Sequence, residues 1–269
     1  MMMPERDGAA SEGFVDERPA RRIIVRLDIK GPNVIKGIHL EGLRVIGSPG
    51  ALARQYYEEG ADEIVYMDAV ASLYGRNNIL DVVEEAARDV FVPLTVGGGI
   101  RTVDDIVAAL RRGADKVAIN TAAIHRPEFI KEAAQALGSQ CIVVSVEAKR
   151  RAPGRWEALT DNGREPTGVD VLEWVAEVEA LGAGEILVTS VDQEGTGKGF
   201  DIELLKSVRE RITIPVIGCG GAGSAGDVAR AFDETDVDAT ACASLFHYKL
   251  SPIAELKTSL LAESIAVRA

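Results

Sequence analysis

Residues 92–121, VPLTVGGGIRTVDDIVAALRRGADKVAINT, set the reading of the whole chain. The run at 92–96 is too short and too continuously apolar for a surface strand, and suits a parallel strand buried on both faces. Three glycines follow, then a helical stretch at 103–112 that Gly113 closes, as helix C-termini prefer. A second buried run occupies 116–120. The unit is strand, turn, helix, strand.

Working outward, Val- and Ile-rich runs of the same kind recur at 23–28, 63–68, 141–147, 185–190, 215–218 and 239–244. Helical stretches lie between them at 50–59, 79–88, 127–137, 169–181, 202–211 and 227–232, with a last one near 252–261. Eight strands alternating with eight helices in about 245 residues is the count of an α/β (β/α)8 TIM barrel. A doubly wound open sheet would carry GxGxxG after its first strand, and that signature is absent. The barrel is expected over residues 21–269, with the polar, acidic residues 1–20 as a disordered tail.

The opening stretch has an echo. Residues 96–105, VGGGIRTVDD, run parallel to 219–227, CGGAGSAGD, at an offset of 122. Residues 114–121 parallel 237–244 at an offset of 123, and 25–30 parallel 144–149 at 119. Three pairs at nearly one offset predict two (βα)4 halves, with matched sites on opposite sides of the barrel mouth.

Composition narrows the function classes. The chain has 269 residues, with 30 Lys and Arg against 42 Asp and Glu, a net charge of −12. Such a balance disfavours nonspecific binding to nucleic acid or to an anionic membrane. No apolar run approaches the ~18 residues that a membrane span needs, and no signal peptide is evident. Three cysteines without CxxC spacing and three dispersed histidines predict neither a disulfide framework nor a metal site, and no cofactor is expected. A cytoplasmic protein fits these features.

In a barrel of this type, chemistry sits at the C-terminal ends of the strands. Asp28 and Glu147 end the first and fifth strands and are mates in the repeat. Two carboxylates facing across a mouth suit proton transfer, one as base and one as acid, if their environments separate them. Their plainer reading is pairing with neighbouring Lys30 and Lys149. The glycines at 97–99 and 220–223 each follow a strand and precede a helix, where the backbone can approach an anion. Asn120 and Thr121, and Ala243 and Ser244, end the next strands and complete each cradle, so a small substrate with a phosphate at each end is expected. At the other face, Arg22, Glu63, Lys116 and Glu185 enter strands and are expected to form a neutral ring closing the barrel bottom. Residues 29–48, with Lys36, make a long loop of the kind that closes over substrates.

Together these residues resemble the HisF-like family, the cyclase subunits of imidazole glycerol phosphate synthase. The segments that carry the resemblance are RIIVRLDIK (22–30), VIKGIHLEGLR (34–44), ADEIVYMDAVAS (61–72), LTVGGGIRT (94–102), GADKVAINTAA (113–123), GAGEILVTSVDQEGT (182–196) and GGAG (220–223). The resemblance implies a barrel that takes ammonia from a separate HisH-like glutaminase docked on its N-terminal face. The ammonia is added to a phosphorylated ribulosyl aminoimidazole nucleotide, giving imidazole glycerol phosphate and an aminoimidazole carboxamide ribotide. It implies that Asp28 and Glu147 are catalytic. Lys36, Gly99, Asn120, Thr121, Glu194, Gly195, Gly221, Ala243 and Ser244 would contact the substrate and its phosphates. Arg22, Glu63, Lys116 and Glu185 would form an ammonia gate.

Three single residues and one short segment depart from the family pattern. Glu147 and Glu194 stand where the family has aspartate, Arg26 where it has cysteine, and Gly31-Pro32-Asn33 replaces a more polar loop start. Such departures leave two further readings open at the level of sequence. One is a paralogue that delivers ammonia to a different, surface-sugar substrate. The other is a non-catalytic scaffold that activates a glutaminase.

Overall fold

The computed structural model describes residues 19–39, 41–69, 71 and 79–268. Residues 1–18 of the expected tail lie outside the described residues. Eight parallel strands form the centre: β1 (Arg22–Lys30), β2 (Glu63–Asp68), β3 (Leu94–Gly97), β4 (Lys116–Ile119), β5 (Ile142–Ala152), β6 (Glu185–Ser190), β7 (Val216–Cys219) and β8 (Ala239–Cys242). Each pairs with the next, and β8 pairs back on β1 with Arg22 opposite Ala239 and Val25 opposite Cys242. Helices separate the strands. The fold is a (β/α)8 TIM barrel.

Alternation along each strand explains the continuous apolar runs. Ile23, Val25, Leu27 and Ile29 join the core between barrel and helices. Ile24 packs inside with Val65, Met67, Ala118, Val143, Leu187 and Ile217. Both faces of each strand are buried, and the inward face of β1 carries the charged Arg22, Arg26 and Asp28 beside Ile24.

The two halves also begin their helices alike. Thr102 caps helix Val103–Arg111, accepting from the Asp105 N–H, and Ser224 caps helix Ala225–Thr235, accepting from the Asp227 N–H. Both caps are extended, as N-cap residues usually are. Asn120 and Ala243, which open the short turns after β4 and β8, adopt nearly the same backbone angles.

Two hairpins depart from the sequence expectation, and both rise at the mouth. The loop expected at 29–48 is an antiparallel pair, Asn33–Ile38 with Glu41–Gly47, whose first arm continues off β1 with Asp28 opposite Ile35. The strand expected to stop at 147 runs to Ala152 and turns back as Arg155–Thr160, which pairs in turn with Glu165–Asp170. The helix expected from 169 accordingly starts at Val171, capped by the Asp170 carboxylate. Arg150 pins this second hairpin: its guanidinium lies 4.6 Å from the Trp156 ring and bonds Asp201 at 2.8 Å and Glu203 at 2.7 Å on the neighbouring helix start.

Candidate active site

Inward-facing positions of β1 climb the barrel axis as Arg22, Ile24, Arg26 and Asp28, from bottom to mouth. Asp28 and Glu147, the two expected catalytic acids, are both buried. Neither takes the neighbour that the plainer reading gave it. Arg26 Nε donates to Asp28 Oδ1 at 2.8 Å, and Lys36 Nζ stands 3.8 Å from Asp28 Oδ2. Lys149 pairs with Asp192 instead, at 2.6 Å. Glu147 Oε2 accepts from the Asn120 amide at 2.9 Å and from the Gly163 N–H at 2.7 Å. Those two donors hold the longer side chain that replaces aspartate here.

The environments of the two acids differ in sign. Burial alone would raise the Asp28 carboxyl, but Arg26 and Lys36 outweigh it and hold it below the ordinary carboxylate range. Burial pushes Glu147 up to about 7, and Arg26, the Gly163 N–H and the Asn120 amide offset only part of that. Asp28 is therefore held as an ionised acceptor, while Glu147 is shifted to where it can give up or take a proton near neutrality. That is the arrangement a base and an acid need at one site.

The first anion cradle is open. A cavity of about 290 Å³ at the mouth is lined by Gly98, Gly99, Asn120, Thr121, Ser145 and Glu147, with the exposed Arg101 and Arg126 adding positive charge. Gly98 has φ +96°, and a Cβ there would lie 2.5 Å from the Asp68 carbonyl oxygen, so only glycine lets this turn close.

The second cradle is matched in backbone but covered. Lys36 bonds the Glu194 carboxylate, and both side chains are buried. The His39 N–H donates to the Glu194 carbonyl at 2.8 Å, and a Cβ on Gly195 would meet the Gly37 carbonyl at 2.4 Å. Gly221, at φ +107°, is held against Gly199, whose N–H donates to its carbonyl at 2.8 Å. Ala243 is buried and Ser244 half-buried beside the end of β8. The first hairpin therefore lies on Glu194 and Gly195, and Asp28 lines a separate small cavity beneath it with Lys36 and Gly37. Asn162 borders both cavities. The symmetry expected from the repeat holds for the chain path and not for access.

The barrel bottom carries the expected ring. Arg22 bonds Glu63 at 2.9 Å and also bonds Glu185. Lys116 bonds the same two acids, at 3.0 and 2.8 Å. Thr95 adds a donor to Glu63 at 2.7 Å. Two cations and two anions alternate in a closed square of zero net charge. Burial would lower the Arg22 affinity for its proton, and Glu185 and Glu63 raise it beyond that loss.

Three contributors escaped the sequence reading. Gly163 and Asn162 reach the site through the second hairpin, whose turn Asp161-Asn162-Gly163 has all three residues at positive φ. An Asn-Gly pair between strand-like runs is a recognised hairpin signal, so this one was available. Thr189 of β6 accepts from Arg26 Nη1 at 3.0 Å, a contact without a local sequence signal. His247 is packed, as expected, with Nδ1 2.8 Å from the Tyr56 hydroxyl, and burial pulls its ring down to about 4. Among the described residues no group of three or more His, Cys, Asp or Glu is placed to hold a metal, and no helix is long and apolar enough to cross a membrane.

Known proteins resemble this chain over most of its length. The family model described as "Histidine biosynthesis protein" matches residues 22–251. The imidazole glycerol phosphate synthase subunit HisF of Legionella pneumophila is 62% identical over 202 residues, which cover 75% of this chain and 95% of that protein.

Proposed function

This chain belongs to the histidine biosynthesis protein family, and from that premise we propose that it is a cyclase subunit of imidazole glycerol phosphate synthase. It is a lyase-type enzyme that uses ammonia on a phosphorylated ribulosyl aminoimidazole nucleotide. The products are imidazole glycerol phosphate and an aminoimidazole carboxamide ribotide. The observation that carries the reading is the pair of buried carboxylates at one mouth, Asp28 bonded to a guanidinium and Glu147 only to neutral donors.

Their chemistry follows from that difference. Ammonia attacking the ribulosyl carbonyl becomes positively charged as the carbon–nitrogen bond forms, and the Asp28 carboxylate takes the proton it must lose. Glu147, on the opposite wall, gives the resulting alkoxide its first proton. Asp28 then returns its proton to that hydroxyl, and the carbon–oxygen bond breaks to release water. Glu147 takes back one proton from the iminium nitrogen, so both acids are restored. Ring closure forms a second carbon–nitrogen bond from the newly added nitrogen and breaks the carbon–nitrogen bond that joins the ring carbon to the carboxamide ribotide. The departing nitrogen takes up the two protons that the closing ring gives up, relayed by the same two groups. Gly99, Asn120 and Thr121 hold one phosphate in the open cradle. Gly195, Gly221, Ala243 and Ser244 hold the other once the hairpin lifts, with Lys36 released from Glu194 to meet it.

A HisH-like glutaminase is the partner that supplies ammonia, docked at the N-terminal face around Arg22, Glu63, Lys116 and Glu185. The square of ion pairs closes the passage at rest, and separating one cation from its two acids opens it. The complex works in the cytoplasm, without a metal or other cofactor. Residues 21–269 act as one domain.

The test is to mix the chain with a HisH-like glutaminase, glutamine and the nucleotide. Glutamine-driven formation of both products is the expected result. Glutamine hydrolysis without loss of the nucleotide would reject the reading.

A further inference from the structure

Arg26 is the one charge set between the ring at the barrel bottom and the carboxylates at the mouth on β1. Its side chain is fully buried in the barrel interior, which also holds the apolar Ile24, Met67, Leu187, Ile217 and Ala241. A buried guanidinium with incomplete pairing is costly. Its Nε donates to Asp28, and Nη1 crosses the barrel to Thr189 Oγ1 on β6, facing Cys219 Sγ on β7 at 3.7 Å. Nη2 is buried and unbonded. Thr189 stands in register opposite Glu147 on β5, so this one side chain ties the strand that carries Asp28 to the neighbour of the strand that carries Glu147.

Lys36, the other cation near Asp28, sits on the first hairpin and is already bonded to Glu194. If the hairpin lifts to admit substrate, Lys36 moves with it. Arg26 belongs to β1 itself and stays. Glu147 of β5, Cys219 of β7 and His247 after β8 are the other titratable groups that face this pair.

We propose that Arg26 is the positioning residue of the mouth: it fixes the Asp28 carboxylate from below, anchors it through Thr189 to the opposite wall, and keeps it a proton acceptor whatever the hairpin does. This rests on the reading of Asp28 and Glu147 as the proton-transfer pair. An apolar residue would fill the same space among these neighbours, but would leave Asp28 dependent on a cation that moves.

The experiment follows the Asp28 carboxyl by carbon-13 NMR titration, assigned by its loss in Asp28→Asn, in the full chain and in three variants. Ammonium-driven turnover, expressed per free ammonia, is measured across the same pH range. In Arg26→Gln the Asp28 titration moves up by about one unit or more, and turnover falls about ten-fold or more, most at the acid end. Arg26→Lys restores most of both. Thr189→Val, which cuts only the anchor, moves the titration in the same direction by less and keeps the test open if Arg26→Gln does not fold. An Asp28 titration unmoved in the folded variants overturns the inference. An inactive wild type would instead overturn the reading of the reaction, since the titration needs no turnover.

Discussion

Asp28 and Glu147 occupy matching places in the two half-barrels, both are buried, and their surroundings drive their protons in opposite directions. The asymmetry comes from what each half adds to the shared frame. The first half supplies Arg26 and Lys36, two cations, to Asp28. Glu147 accepts hydrogen bonds from neutral donors, the Asn120 amide of the first half and the Gly163 N–H of the second. A duplicated scaffold thus holds two acids in two different electrostatic settings.

Glu147→Gln keeps the side-chain length and an oxygen able to accept the Asn120 and Gly163 donors, but removes the transferable proton. Turnover with ammonium falls about 100-fold or more, in the range that general acid catalysis contributes. The check is steady-state kinetics with the fold monitored by circular dichroism. Activity within two-fold of the wild type would remove Glu147 from the proton chemistry.

The same residue makes stability depend on pH. Its folded value of about 7 lies above the unfolded carboxyl's 4.5, so between those values the native state binds the extra proton. Stability contributed by neutral Glu147 is therefore full below about pH 4.5, declines as pH rises to about 7, and is then gone. The loss is on the order of 3 kcal/mol. Denaturant unfolding at a series of pH values shows this decline in the wild type, and Glu147→Gln flattens it. Asp28 acts in the opposite sense, contributing above its unfolded value and losing that contribution only as pH falls through its lowered folded one.

Removing one member of the bottom ring leaves buried charge uncompensated. Lys116→Ala strands Glu63 and Glu185 with Arg22 alone and costs about 3 kcal/mol in urea unfolding. Adding Glu185→Gln to it recovers much of that loss, because Arg22 and Glu63 then pair one to one. A double variant no more stable than the single would show that the ring is not an electrostatic unit.

Glu194→Gln frees the first hairpin. Its charged bond to Lys36 is among the contacts that hold Asn33–Ile38 down, beside the His39 contacts to Glu194 and Val191. A hydrogen bond to a charged group is worth about 1.5–3 kcal/mol, so opening becomes about ten-fold or more easier. Limited proteolysis within 33–47 speeds up accordingly, while the barrel's melting temperature barely changes. Unaltered cleavage would mean that the hairpin is held elsewhere.

Much of this was legible in the sequence, and what was missed has physical causes. The barrel followed from runs such as 92–96 and 116–120, because strands buried on both faces write a continuous apolar signal that few other elements share. The repeat followed from Gly98 and Gly220, and from Thr102 and Ser224, since tight turns and helix caps accept few residue types. The square of Arg22, Glu63, Lys116 and Glu185 was readable because strand entry fixes the height of each side chain. The second hairpin was harder: residues 155–170 alternate weakly, and only Asp161-Asn162-Gly163 marked the turn. The bond from Arg26 to Thr189 joins residues far apart in the chain, and no local pattern encodes it. Closure of the second cradle depends on where one hairpin settles, which the repeat itself does not determine.

The most direct measurement gives the purified chain the ribulosyl aminoimidazole nucleotide and excess ammonium salt at alkaline pH, with no partner present. Substrate and products are followed by mass spectrometry, and Asp28→Asn is run beside the wild type. The account predicts imidazole glycerol phosphate and the carboxamide ribotide in equal amounts from the wild type, and none detectable from Asp28→Asn. No product from folded wild-type protein, or equal turnover by the variant, would contradict it.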